Sequence, residues 1–208
     1  TQKKLKLVTL NSITFEFILL QISVAFSPGL IIALVVNESV QKNRISGIKV
    51  AIGAAFGALI ITFLSAILVS YLFSSIPTIL TFIYLGGTFY IVFKGLKTFK
   101  TSHLNLSLNS SEYLIYSGFK LNLSNPKMWV FFLTVLPIFV ANKAQIIIEL
   151  VYFGIITVFI NLFADVSYAI FSNYFFKDAS TNMKLLINKI SGISLIAIGV
   201  YLFFSRFI

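Results

Sequence analysis

Residues 113–140 read YLIYSGFKLNLSNPKMWVFFLTVLPIFV, and the four residues Ser124-Asn125-Pro126-Lys127 in the middle decide how the whole chain is read. The run is long and apolar enough to cross a bilayer, which takes about 20 residues as a helix. Yet Pro126 lacks the N–H that an unbroken helix needs, and its ring clashes with the turn before it. In hydrocarbon such a break is tolerated only where protein or a water-filled cavity re-satisfies the freed backbone groups. A second break stands in the other half of the chain, Ser27-Pro28-Gly29 within the apolar run 13–36. Paired interruptions at corresponding places point to a binding site between two structural repeats.

The composition agrees with a membrane setting. Of 208 residues, 58% are hydrophobic and 11% charged, and the mean hydropathy is +0.98. Soluble domains carry roughly 25% charged residues, so the chain reads as an integral membrane protein, with no room among these residues for a soluble domain. Cysteine is absent, which removes disulfides and thiolate metal sites. The single histidine, His103, lies in a polar segment, so no histidine metal cluster can be built and no cofactor is expected. The formal charge of +10 sits in short segments between apolar runs. That pattern sets topology and meets anionic headgroups, and nucleic acid is not an expected partner. Lys3, Lys4 and Lys6 before an apolar run have the outline of a signal peptide. The run is longer than a typical h-region and lacks a small-x-small cleavage site, so it reads as a retained first span.

Six apolar segments emerge, at 13–36, 48–73, 76–96, 113–140, 146–176 and 190–208. The longest polar stretch, 97–112, divides one transmembrane domain covering 1–208 into repeat one (13–96) and repeat two (113–208). The halves echo each other: a proline break in the first span (Pro28, Pro126), a deep glycine in the second (Gly53 with Gly57, Gly154), and a glycine pair in the third (Gly87 with Gly95, Gly192 with Gly199). Small residues at such spacing let membrane helices approach closely. Three spans is an odd number, so the second half enters from the opposite side. The expected fold is therefore all-α, six transmembrane helices as two inverted three-helix repeats, with proline-broken first and fourth helices. Loop charge gives orientation: Lys42, Arg44, Lys49, Lys94, Lys97, Lys100, Lys120, Lys177, Lys184 and Lys189 lie on one side, against Lys3, Lys4, Lys6, Lys143 and Arg206 on the other. The richer side is read as cytoplasmic, with both termini outside.

Within the breaks, Ser and Asn are favoured N-caps and Pro is favoured at the first helical position. Ser27-Pro28 and Asn125-Pro126 thus read as starts of fresh half-helices. Their unpaired N–H groups and partial positive charge suit a carboxylate, and Gly29 lets a ligand approach the backbone. The competing reading is a pair of packing kinks. Only about 14 uncharged residues follow Lys127 before Asn142, too few to span alone. Lys127 is therefore placed at membrane depth, as a partner for a carboxylate or, alternatively, snorkelling to headgroups. Asp165, with Asn161 and Tyr168 at −4 and +3, makes a polar stripe on one helix face. Its candidate roles are proton coupling or counter-ion to an ammonium, against an interfacial residue. Glu16 reads as an interfacial anchor, and Asn37 with Glu38 as the end of the first span.

These motifs resemble the lysine exporter (LysE/RhtB) family of bacterial amino-acid efflux proteins, over roughly 14–206. The first break resembles the family's proline-glycine-proline element, with Leu30 where a second proline is usual. Gly47 to Gly57, Leu85-Gly86-Gly87 to Gly95, and Gly118 to Lys127 followed by Phe131-Phe132 and Leu136-Pro137 are similar to later family elements, as is Ser191-Gly192 with Gly199. The resemblance implies a six-helix exporter in the bacterial inner membrane, moving amino acids or close analogues outward against proton entry. It carries Pro28, Gly29, Asn125, Pro126 and Lys127 over as binding residues, with Ser27 beside them; Asp165 rests on the residue argument alone. The expected partners are a small amino acid, a coupling ion, the lipid bilayer and, in an oligomer, further copies of the chain. An inorganic-cation exporter would favour several intramembrane carboxylates or histidines, and a non-transporting scaffold would need no buried charge. Neither a nucleophile–base pair nor a metal site suggests an enzyme.

Overall fold

The structure, a computed structural model, describes residues 2–27, 29–75, 79–100, 112–172 and eleven helical positions between 189 and 204. The described residues are helical and connected by short turns. Helix α1 (Gln2–Ala25) and α2 (Leu30–Gln41) meet at the first break, where the axis bends by 53°. Then come α3 (Arg44–Ser75) and α4 (Ile79–Lys100). After the second break in the sequence pattern, α5 (Leu114–Leu123) gives way to α6 (Pro126–Val130), and α7 spans Ile146–Ser172. Two helices, α3 and α7, are long and apolar enough to cross a membrane, and the α1–α2 pair makes a third if counted as one bent span. Their outer faces carry Phe56, Phe63 and Ile67 on α3, and Ile148, Phe159 and Phe163 on α7, all more than half exposed. Such faces belong against lipid tails.

Helix α3 is the central post. It packs on α5, α7 and α2, and glycines set how closely. A Cβ on Gly53 would run into the carbonyl of Ile115, and one on Gly118 into the carbonyl of Val50. At Gly57 it would stand 2.9 Å from the Phe119 carbonyl. Backbone-to-backbone contact of this kind gives van der Waals packing where water offers no hydrophobic drive. The same device joins α4 to the last segment, where Gly95 and Gly192 face each other's carbonyls.

Past Val130 the helix changes pitch. Residues Phe131–Val135 widen into a π turn and Leu136–Phe139 tighten into a 3₁₀ turn. Pro137 accounts for this: it offers no N–H to the preceding turn and its ring crowds the carbonyl there. Glu149 of α7 then holds the connecting turn, accepting from the backbone N–H groups of Ala141 (2.6 Å) and Asn142 (3.2 Å).

Two apolar clusters form. One gathers Phe17, Phe139 and Phe153, with ring centroids 4.7 to 6.3 Å apart. The other gathers Val35, Val36, Val50, Ala51 and Ala169. The first span does not stop at Asn37-Glu38 as the polar pair suggests. Helix α2 runs on to Gln41 with both residues buried, because Lys42 one turn later reaches back to the Glu38 carboxylate at 3.2 Å. Lys94 also departs from expectation: it lies in α4, half-buried, rather than in a loop.

Candidate functional site

Between the two clusters lies a cavity of about 40 Å³, lined from α1, α2, α3, α5, α6 and α7. Gly29, Asn125, Lys127, Asn161 and Asp165 line it, drawn from both halves of the chain. Pro28 lies outside the described residues, and of Pro126 only the backbone is described.

The two breaks are built differently. At the second, Asn125 caps α6: its Oδ1 accepts from the Lys127 N–H at 3.1 Å, with Pro126 at the first helical position. The end of α5 is closed as well. The Trp129 indole donates to the Leu123 carbonyl at 2.7 Å, and Ser124 Oγ to the Lys120 carbonyl at 2.8 Å. At the first break the expected serine cap is not formed. Helix α2 begins at Leu30 with Gly29, which has no side chain to cap with, as its N-cap in extended backbone. Ser27 is instead fully buried, its N–H on the Val24 carbonyl at 3.3 Å. The start of α2 falls three residues after Ser27, too far along for that serine to serve as its N-cap. Only the Gly29 carbonyl is engaged, by Ala33 at 2.9 Å. The first N–H groups, of Leu30 and Ile31, have no acceptor inside the helix and lie along the cavity.

Lys127 crosses to this helix start. Its Nζ lies 3.5 Å from where a Cβ on Gly29 would stand, so the missing side chain leaves room beside the ammonium. Asp165 is buried in α7, close enough for its charge to act on Lys127. The side-chain nitrogen of Lys94 also lies within hydrogen-bonding range of Lys127. Of the predicted stripe, Asn161 accepts from Gln21 Nε2 of α1 at 2.8 Å. Tyr168 turns away from the ligand space: its hydroxyl donates to the Phe26 carbonyl at 2.9 Å, one of the groups freed by the bend. Glu16 lies apart, accepting from Tyr201 at 3.1 Å.

Sequence reasoning missed Gln21 and Asn122. Both are buried and line the cavity. Gln21 is a lone amide in a mostly apolar stretch and Asn122 stands among the polar residues that lead into the second break, a weak signal in either case.

Helices with exposed apolar surfaces around an internal polar cavity define a helical membrane protein. The chain belongs to the LysE type translocator family, whose model matches residues 22–206. It is thus a transporter by family. Neither a curated protein nor a solved structure matches the chain.

Proposed function

We propose that the protein is a secondary exporter of amino acids or close analogues, driven by proton entry. The observation that carries this reading is the meeting, in one cavity, of the helix start at Gly29, Lys127 and Asp165. A zwitterion needs that combination. Its carboxylate would take the N–H groups of Leu30 and Ile31 together with Lys127, where the helix start adds about half a positive charge. Its ammonium would face Asp165. A proton and a substrate ammonium then compete for one carboxylate, and such competition turns two binding equilibria into an antiport. Charges at membrane depth are costly enough that each state must be neutralised.

The reading includes six spans as two inverted repeats, an inner-membrane location and both termini outside. Removing Lys94 from the count of loop charges leaves the richer side nine against five. A reporter fused at the C-terminus checks the orientation; cytoplasmic activity would reverse the assignment. Transport itself is tested by counterflow in proteoliposomes loaded with a panel of amino acids, with and without a pH gradient. Exchange by one group of amino acids, stimulated by the gradient, is the expected result. Silence across the panel from folded protein would sink the exporter reading.

A further inference from the structure

Among the described residues, three buried side-chain polar atoms lack a protein partner: Gln21 Oε1, Asn122 Oδ1 and Ser39 Oγ. Two of the three belong to residues lining the cavity, and both are carbonyl oxygens. Gln21 is 1% exposed and Asn122 is 4% exposed. A buried acceptor without a donor is costly, so each such atom calls for a partner.

The orientation of Asn122 is fixed by chemistry. Its Nδ2 donates to the Ala54 carbonyl at 2.6 Å. A carbonyl only accepts, so the amide nitrogen must point there and the oxygen is left over. Gln21 is placed by its own donation to Asn161, one turn from Asp165 on α7. Each amide therefore gives an N–H to the protein and leaves its oxygen without a partner. Lys127 and the start of α2 line the same cavity.

We infer that Gln21 and Asn122, with Asp165, form an ammonium subsite that selects substrates bearing a free primary amine. This inference rests on the amino-acid reading above and refines it. An ammonium carries three N–H donors, and three acceptors line the cavity to receive them: one charged oxygen from Asp165 and two neutral ones. Asp165 supplies the charge and discriminates little between a primary and a quaternary ammonium. The two amide oxygens discriminate, because each is left unpaired again when the donor facing it is methylated. Gln21 and Asn122 are thus specificity-determining, and N-methylated substrates are rejected stepwise.

The test is ligand binding to the purified protein in detergent, followed by calorimetry. The probes are alanine, leucine and lysine, each as the free amino acid, the N-methyl form and the N-trimethyl form. All members keep the carboxylate and the positive charge. In the unaltered protein each lost pairing costs about tenfold in affinity, so the trimethyl forms bind about a hundredfold more weakly or worse. Gln21→Met narrows the gap between free and trimethyl forms by about tenfold, while affinity for the trimethyl forms is unchanged. Gln21→Glu keeps an oxygen at that place and keeps the gap. A purely structural role for Gln21 would weaken all forms alike, and that result overturns the inference. So does equal binding of free and trimethyl forms, or no binding by any probe. Binding with the expected gap but no counterflow would sink the exporter reading alone. Counterflow with no gap would sink the subsite alone.

Discussion

Removing either member of the Asp165–Lys127 pair strands the other charge at membrane depth, and the surroundings set the cost. Asp165 is 7% exposed, whereas Lys127 is half-buried with an edge on the cavity. Breaking a fully buried pair costs roughly 3–5 kcal/mol, against about 0–1 for an exposed one. Asp165 and Lys127 act on each other through charge without forming a direct ion pair, so the cost falls below that of a buried pair, about 1–2 kcal/mol. Asp165→Asn preserves shape and so isolates the loss of charge. It leaves Lys127, hydrogen-bonded to Lys94, without the acid whose charge acts on it. The double variant, Asp165→Asn with Lys127→Met, carries neither group and should recover most of that loss, since groups that act on one another are non-additive. Denaturant unfolding in micelles measures this, read by fluorescence of Trp129, the sole tryptophan. Counterflow on the same samples separates stability from transport: the double variant regains stability and not exchange. Two single effects that simply add would refute the pairing. A double variant that exchanges normally would remove both residues from the mechanism.

Other outcomes follow from the packing. Gly118→Val drives a branched side chain into the Val50 carbonyl and should cost at least about 1–3 kcal/mol of unfolding free energy; an unchanged melting profile would mean that α5 does not sit on α3 this closely. Tyr168→Phe removes the donor on the Phe26 carbonyl and should cost about 1 kcal/mol, with exchange slowed through a loosened bend; wild-type melting and rate would dismiss its role there. The unlike breaks predict unlike phenotypes. Asn125→Ala loses a cap and about 1 kcal/mol of stability, with substrate affinity little changed. Gly29→Val is compatible with extended backbone and should leave stability alone, while filling the space beside Lys127 weakens substrate binding about tenfold or more. Melting and binding isotherms on the two variants check this, and the reverse pattern would exchange the roles assigned to the breaks.

The sequence made the second break readable to the residue, because Asn125-Pro126 is a local cap whose partner is two positions away. The first break was readable in place and not in detail. There the helix start is set by packing around Gly29, and the freed carbonyl of Phe26 is satisfied from Tyr168, far along the chain. Local rules cannot reach such a partner. The same limit hid the reach of α2 past Glu38, which depends on Lys42 offsetting a buried carboxylate. It also hid Lys94, whose place beside Lys127 depends on how α4 packs against the segment after α6. Gln21 and Asn122 were legible only as amides, since their orientation comes from Asn161 on α7 and Ala54 on α3.

What looks in sequence like one motif used twice is, in the fold, a division of labour. The break at 124–126 closes on itself: Asn125, Ser124 and Trp129 satisfy its backbone from within the same segment. That makes α5 and α6 a fixed frame, braced against α3 through Gly118 and Asn122. At the first break α2 starts from Gly29, which offers no side-chain cap, and the Tyr168 hydroxyl of α7 holds the Phe26 carbonyl. A site that must bind and then release needs one wall that holds geometry and one whose polar groups are free to change partners. Lys127 stands on the fixed frame and reaches the first break at Gly29, which puts the charge most able to seat a substrate carboxylate at the junction of the two. The asymmetry between the breaks, more than their likeness, is what suits this pair of half-helices to moving a solute.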